Sequence, residues 1–158
     1  MNAVIARMVL CLCVSVIAAK PGFAEEAVNI HSDGSIQLDT GEVIALAGIV
    51  LVPESLNLLR VMVLNQEIEI ESAEFGRPSD GMLAKPVYLY VKTSEIKFPF
   101  KSDSDLKTHR LLVNQAMLQF GAARVDGRQT HPYRDRFVKA QAEAQEHGEG
   151  IWSYSEGL

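Results

Sequence analysis

The stretch from Ala45 to Ser55 reads ALAGIVLVPES, and its one acid is Glu54. A carboxylate at the end of an apolar strand can take a proton from water when charged groups converge on it. At the start of a helix the same carboxylate is stabilised by the helix dipole, and that is the favoured reading here. Arg77, in Phe75-Gly76-Arg77, supplies a fixed positive charge that could bind an anion or pair with Glu74 or Asp80. Asp33-Gly34 and Asp39-Thr40-Gly41 carry carboxylates in residue combinations typical of tight turns, so both acids read first as turn formers.

Other chemistry-bearing residues are dispersed. His31, His109, His131 and His147 show no HxH or HxxxH spacing, so a zinc centre is not expected. Glu67, Glu69 and Glu71 alternate with Ile68 and Ile70, the pattern of a strand with one wet face, and read as a solvated row. Arg124, Arg128, Arg134, Arg136 and Lys139 concentrate positive charge in the last third of the chain. Solvated helix faces are the favoured explanation, and a patch for an anion or an acidic partner is the sharper one.

The elements that must position these groups are legible from periodicity. Ile36-Gln37-Leu38 reads as a strand, followed by a hairpin turn at Asp39–Glu42 and a second, largely buried strand from Val43 to Val52. Leu56 to Leu64 has helical spacing behind Pro53-Glu54-Ser55, with Ser55 as the expected cap. Strands are expected at Glu67–Glu71 and Val87–Val91, a loop at Gly76–Gly81, and a strand or hairpin within Glu95–Asp105. Val113, Ala116, Met117 and Phe120 form a helical stripe that stops at Gly121, and Tyr133 to His147 gives a further helix. Strands, a short helix, more strands and two final helices predict a small barrel packed against helices, not alternating βαβ units.

The amino terminus has a different character. Arg7, an apolar run from Met8 to Ala19, and Gly22-Phe23-Ala24 make the three-part pattern of a secretory signal over residues 1–24. The run is shorter than the ~20 residues that span a bilayer. Both cysteines, Cys11 and Cys13, fall inside it, so residues 25–158 are expected to form one cysteine-free domain, periplasmic or secreted. Removing the segment loses Arg7 and Lys20 but no acid, which moves the formal charge from −5 to −7. Such a domain starts at a disadvantage as a nucleic-acid binder, because polyanion binding rests on Lys and Arg.

Several stretches together resemble the thermonuclease, or staphylococcal-nuclease-like, family. LVNQAMLQFGAARV (112–125) is similar to its LVNxxLVxxGxAxV helix, and AQAEAQEHGEGIWS (140–153) to its closing AxxxAxxxGxGxW segment. More loosely, Asp33-Gly34 resembles the start of DGDT, ALAGIVLVPE resembles RLxGIDxPE, and Phe75-Gly76-Arg77 resembles the end of DRYGR. The resemblance implies an α+β fold, a five-stranded OB barrel with three helices. It also implies phosphodiester cleavage with Ca²⁺ held mainly by two Asp, a Glu that activates water and two phosphate-binding Arg. A hard cation needs several oxygen ligands, and a pentavalent phosphate needs fixed positive charge where negative charge develops.

Carried over position by position, the resemblance puts Ser35 and Val50 where the family has its two Asp ligands, and Ala45 at its first Arg. One residue is also inserted before Pro53. Glu54 at the general base and Arg77 at the second Arg survive as vestigial catalytic candidates, while Ala73-Glu74 replaces a cationic approach to that Arg. ALAGIVLVPES thus reads as an active-site strand refilled with core-type residues, with an apolar or closed cleft near Ala45 and Val50. The expectation is an exported binding or assembly module with no cofactor, no metal and a protein partner. The alternative is a divergent DNA or RNA phosphodiesterase in which Asp33, Asp39 or Glu42 rebuilds a metal site beside Glu54 and Arg77.

Overall fold

The computed structural model describes residues 25–73, 84–92, 110–128 and 130–153. The segment 1–24, the loop expected at Gly76–Gly81, Arg77, His109 and the strand expected within Glu95–Asp105 lie outside the described residues. Three strands open the fold as a meander: β1 (Glu25–Ile30), β2 (Ile36–Leu38) and β3 (Val43–Leu46). The turn between β2 and β3 is where the sequence places it. Leu38 N–H donates to Glu42 O and Gly41 N–H to Leu38 O, each at 2.9 Å, with Gly41 at φ +86°.

The apolar run expected to continue as one strand to Val52 is instead broken in two. After β3 the chain turns at Ala47-Gly48, and β4 (Ile49–Leu51) belongs to a separate two-stranded sheet with β8 (Ala123–Val125). Gly48 makes the corner possible at φ +74°, a conformation that side-chain-bearing residues rarely adopt. Next come a 3-10 turn (Pro53–Ser55) and α1 (Leu56–Val63). Ser55 does not cap α1 through its side chain, because its hydroxyl turns back to donate to Val52 O at 2.6 Å.

The chain continues through β5 (Glu67–Ser72), β6 (Lys85–Lys92), β7 (Arg110–Leu112), α2 (Val113–Gln119), then β8 and α3 (Arg134–Glu146). Antiparallel pairs join β1 to β2, β2 to β3, β5 to β6 and β1 to β5, and the parallel β3–β6 pair closes the ring. The result is the expected five-stranded OB-type barrel with three helices among the described residues. β7 extends the sheet beyond β6. Ile36, Leu38, Ile44, Leu59, Met62, Leu89, Leu112, Met117 and Phe137 are fully buried. Each contributes about 1.5–3 kcal/mol of apolar transfer free energy.

α2 is buried on more than the expected stripe. Every residue from Val113 to Leu118 is buried, Asn114 and Gln115 included, because α2 lies between β6 and α3. Asn114 accepts from Leu89 N–H (3.0 Å) and donates to Ala47 O (3.0 Å) and Val87 O (3.1 Å). It therefore ties the corner between β3 and β4 to β6. Gly121 ends the helix at φ +60°, and a Cβ there would stand 2.0 Å from Glu149 O, so the close passage of Glu149-Gly150 also requires glycine.

Candidate functional site

The loop between β1 and β2 carries Asp33 and Ser35. Asp33 Oδ1 accepts from Ser35 N–H (2.9 Å) and from the Ser35 hydroxyl (2.7 Å). These two bonds, the hydroxyl's foremost, hold the Asp33 carboxyl below its usual pKa. Asp33 thus acts as a turn former, as its sequence context suggests, and the buried Ser35 directs its proton at that acid.

Along the strands that follow, Ala45 is half-buried and stands opposite Pro86 of β6. Beside it, the Lys85 ammonium pairs with Glu42 at 3.2 Å. On β4, Ile49 points into the core while Val50 points out, 47 % exposed. Strand alternation dictates this and corrects the core-type reading of Val50, which is a surface residue. Across the ladder it faces Arg124 of β8, whose guanidinium lies 5.1 Å over the Trp152 ring. Glu54 is exposed in the 3-10 turn ahead of α1, within reach of the helix dipole.

The acids proposed as replacement ligands do not converge. Asp33 is engaged by Ser35, Asp39 accepts from Glu26 N–H at 3.3 Å, and Glu42 pairs with Lys85. Among the described residues no three His, Asp or Glu side chains stand together as a metal site. The Ca²⁺ that the family resemblance implies does not fit the residues at the positions the resemblance gives to its two Asp ligands. Ser35 offers a neutral hydroxyl in place of a charged carboxylate, and Val50 offers no donor atom.

The row read as solvated carboxylates on β5 is more organised than that. Glu67 pairs with Lys92, and Glu69 with Arg110 at 2.6 Å. Arg110 also lies 4.4 Å over the Tyr90 ring. The Tyr90 hydroxyl (3.1 Å) and the Tyr133 hydroxyl (3.0 Å) both reach Glu71 and lie 2.9 Å from each other, three contacts between which the two phenol protons are shared. Burial first, and the bond to Tyr133 second, push the Tyr90 phenol above its ordinary pKa. Tyr88 and Tyr90, two apart on a strand, share a face; that spacing is the signal from which the cluster could have been read.

Two of the cationic groups near the C-terminus are paired with acids. Arg128 is drawn onto Asp126, with Nε to Oδ1 at 2.9 Å and Nη2 to Oδ2 at 3.1 Å, and Lys139 sits 3.8 Å from Glu143. His147 lies at the end of α3, its Nδ1 2.7 Å from Glu143 O, as expected of a histidine at a helix C-terminus.

Comparison with known families matches residues 54–154 to the family described as staphylococcal nuclease homologue. The matched stretch begins at Glu54 and takes in β5 through α3; Ser35, Ala45 and Val50 precede it. No curated protein sequence matches the chain.

Proposed function

The chain belongs to the staphylococcal nuclease homologue family, and from that premise we propose an exported domain that has lost metal-dependent nuclease chemistry and serves as a binding or assembly module. The observation that carries this reading is the pair of residues at the ligand positions. Ser35 spends its hydroxyl on Asp33, and Val50 presents an isopropyl group to solvent. Loss of one preorganised charge-stabilising donor typically lowers a rate 10²–10³-fold. Here two ligands and an arginine are replaced together, and such groups act as a unit, so their effects do not simply multiply.

A protein partner is favoured over nucleic acid by the acidic balance and by the pairing of Arg128 with Asp126 and of Lys139 with Glu143. OB barrels offer grooves and sheet faces on which partners dock. The divergent phosphodiesterase is the competing reading, and it requires acids to meet at a metal site, whereas no group of three His, Cys, Asp or Glu occurs among the described residues.

A Ca²⁺ titration followed by thermal melting tests the proposal. A ligand bound by the native state at 100 times its Kd stabilises by about 2.7 kcal/mol, a shift that melting detects readily. The melting temperature of the purified protein is expected to stay unchanged through millimolar Ca²⁺. A saturable rise, lost on Glu54→Gln, would overturn the proposal.

A further inference from the structure

Val50 and Arg124 stand opposite each other across the β4–β8 ladder, so both side chains project from the same face of the ribbon. Val50 is half-exposed and Arg124 is exposed. The Arg124 guanidinium lies 5.1 Å over the ring of Trp152, which is half-buried. The 3-10 turn that carries this tryptophan (Gly150–Trp152) is pinned to the end of α2, where Ile151 N–H donates to Gly121 O at 3.0 Å. Trp152 N–H donates in turn to Glu149 O at 3.0 Å. Arg124 thus joins an exposed isopropyl group on one side to an indole on the other, over backbone that is already fixed.

The guanidinium also lacks what its neighbours have. Lys85, Lys92, Arg110, Arg128 and Lys139 each face an acid. Arg124 faces none among the described residues, and its N–H groups have no protein acceptor there. Contact with a ring is made through the guanidinium plane and leaves the N–H groups along its edge, which a carboxylate engages bidentately.

We infer that Val50, Arg124 and Trp152 form a docking face, and that its occupant is an acidic protein segment in which a carboxylate stands beside an apolar side chain. The carboxylate takes the N–H edge of Arg124, and the apolar group packs against Val50 and the indole. The inference rests on the binding-module reading and gives that module a surface and its partner a chemistry. Arg and Trp are side chains on which protein interfaces concentrate binding energy, and a fixed backbone keeps the ordering cost low. Charge decides against a nucleic acid. A run of phosphates needs several available cations, whereas Arg128, just past β8, is engaged by Asp126 through both oxygens. One available guanidinium next to an isopropyl group matches a single carboxylate with an apolar neighbour.

Trp152 is the sole tryptophan of the sequence, so its emission reports on this face directly. The test titrates the purified protein with a capped peptide of alternating leucine and glutamate, at low and high salt. Its leucine–lysine counterpart and a single-stranded oligonucleotide run alongside. The acidic peptide is expected to give a saturable change in Trp152 emission that weakens with salt. Arg124→Gln is expected to lower the affinity about tenfold or more. Val50→Glu, which sets a carboxylate across the ladder from the guanidinium, is expected to abolish the response while circular dichroism and melting show the fold intact. No response to the acidic peptide, or an equal response from the lysine peptide or from Arg124→Gln, would overturn the inference. So would a response to the oligonucleotide that Arg124→Gln removes. These outcomes bear on the docking face alone, because the reading beneath it stands or falls by the Ca²⁺ titration.

Discussion

At the scale of single residues, the chemistry was partly legible. Asp33 before glycine announced a turn, and the structure shows that turn closed by the Ser35 hydroxyl. Replacing Ser35 by Ala removes one side-chain hydrogen bond, an expected cost of about 1 kcal/mol in urea unfolding. The outward orientation of Val50 is hidden in the sequence, because a continuous apolar run does not show which residues face outward; only the ladder with β8 reveals it. Asn114 was not singled out at all, since nothing in LVNQAM marks the asparagine as buried. Its three bonds to backbone groups of β6 and the β3–β4 corner predict a larger effect. Asn114→Ala leaves the Leu89 N–H without its partner and is expected to lower stability by about 3 kcal/mol, measured by the same unfolding curves.

At the scale of elements, periodicity located α1, β5, β6 and α3 because each carries its apolar residues at one clear spacing. It failed between Val43 and Val52, where apolar residues run on and the one interruption, Gly48, is small enough to pass as a strand residue. What breaks the strand is tertiary: β3 is claimed by β6, β4 by β8, and the His131 ring occupies the space beside Gly48. Gly48→Ala must adopt φ +74° and displace that ring, with an expected loss of roughly 2–3 kcal/mol and lower exchange protection in β8. Gly41 is the control. It has a similar φ of +86° but open space around it, so Gly41→Ala should show the conformational cost alone, about 1 kcal/mol, with β8 unaffected.

At the scale of the whole molecule, the order of elements and the C-terminal motifs make the barrel readable in the sequence. Its closure by β3 and β6, far apart in sequence and parallel, was not readable from local pattern. Acid stability belongs to this scale. The Asp33 and Asp126 carboxyls lie below the ordinary value of 3.8, each held down chiefly by a side-chain hydrogen bond, from Ser35 and Arg128 respectively. Their stabilisation is present above pH 3.8 and is lost as pH falls through their folded values. Acid titration should therefore give a loss of stability below pH 4, and Asp126→Asn should diminish it.

The measurement that bears most directly on the central claim is cleavage of fluorescent single-stranded DNA and RNA by the purified protein. Ca²⁺, Mg²⁺, Mn²⁺ and a chelator would be compared, with Glu54→Ala and Arg77→Ala alongside. The account predicts no metal-dependent cleavage by any of the three proteins. Metal-dependent cleavage by the wild type that either substitution abolishes would contradict it, and would mean that a working metal site has been rebuilt around Glu54.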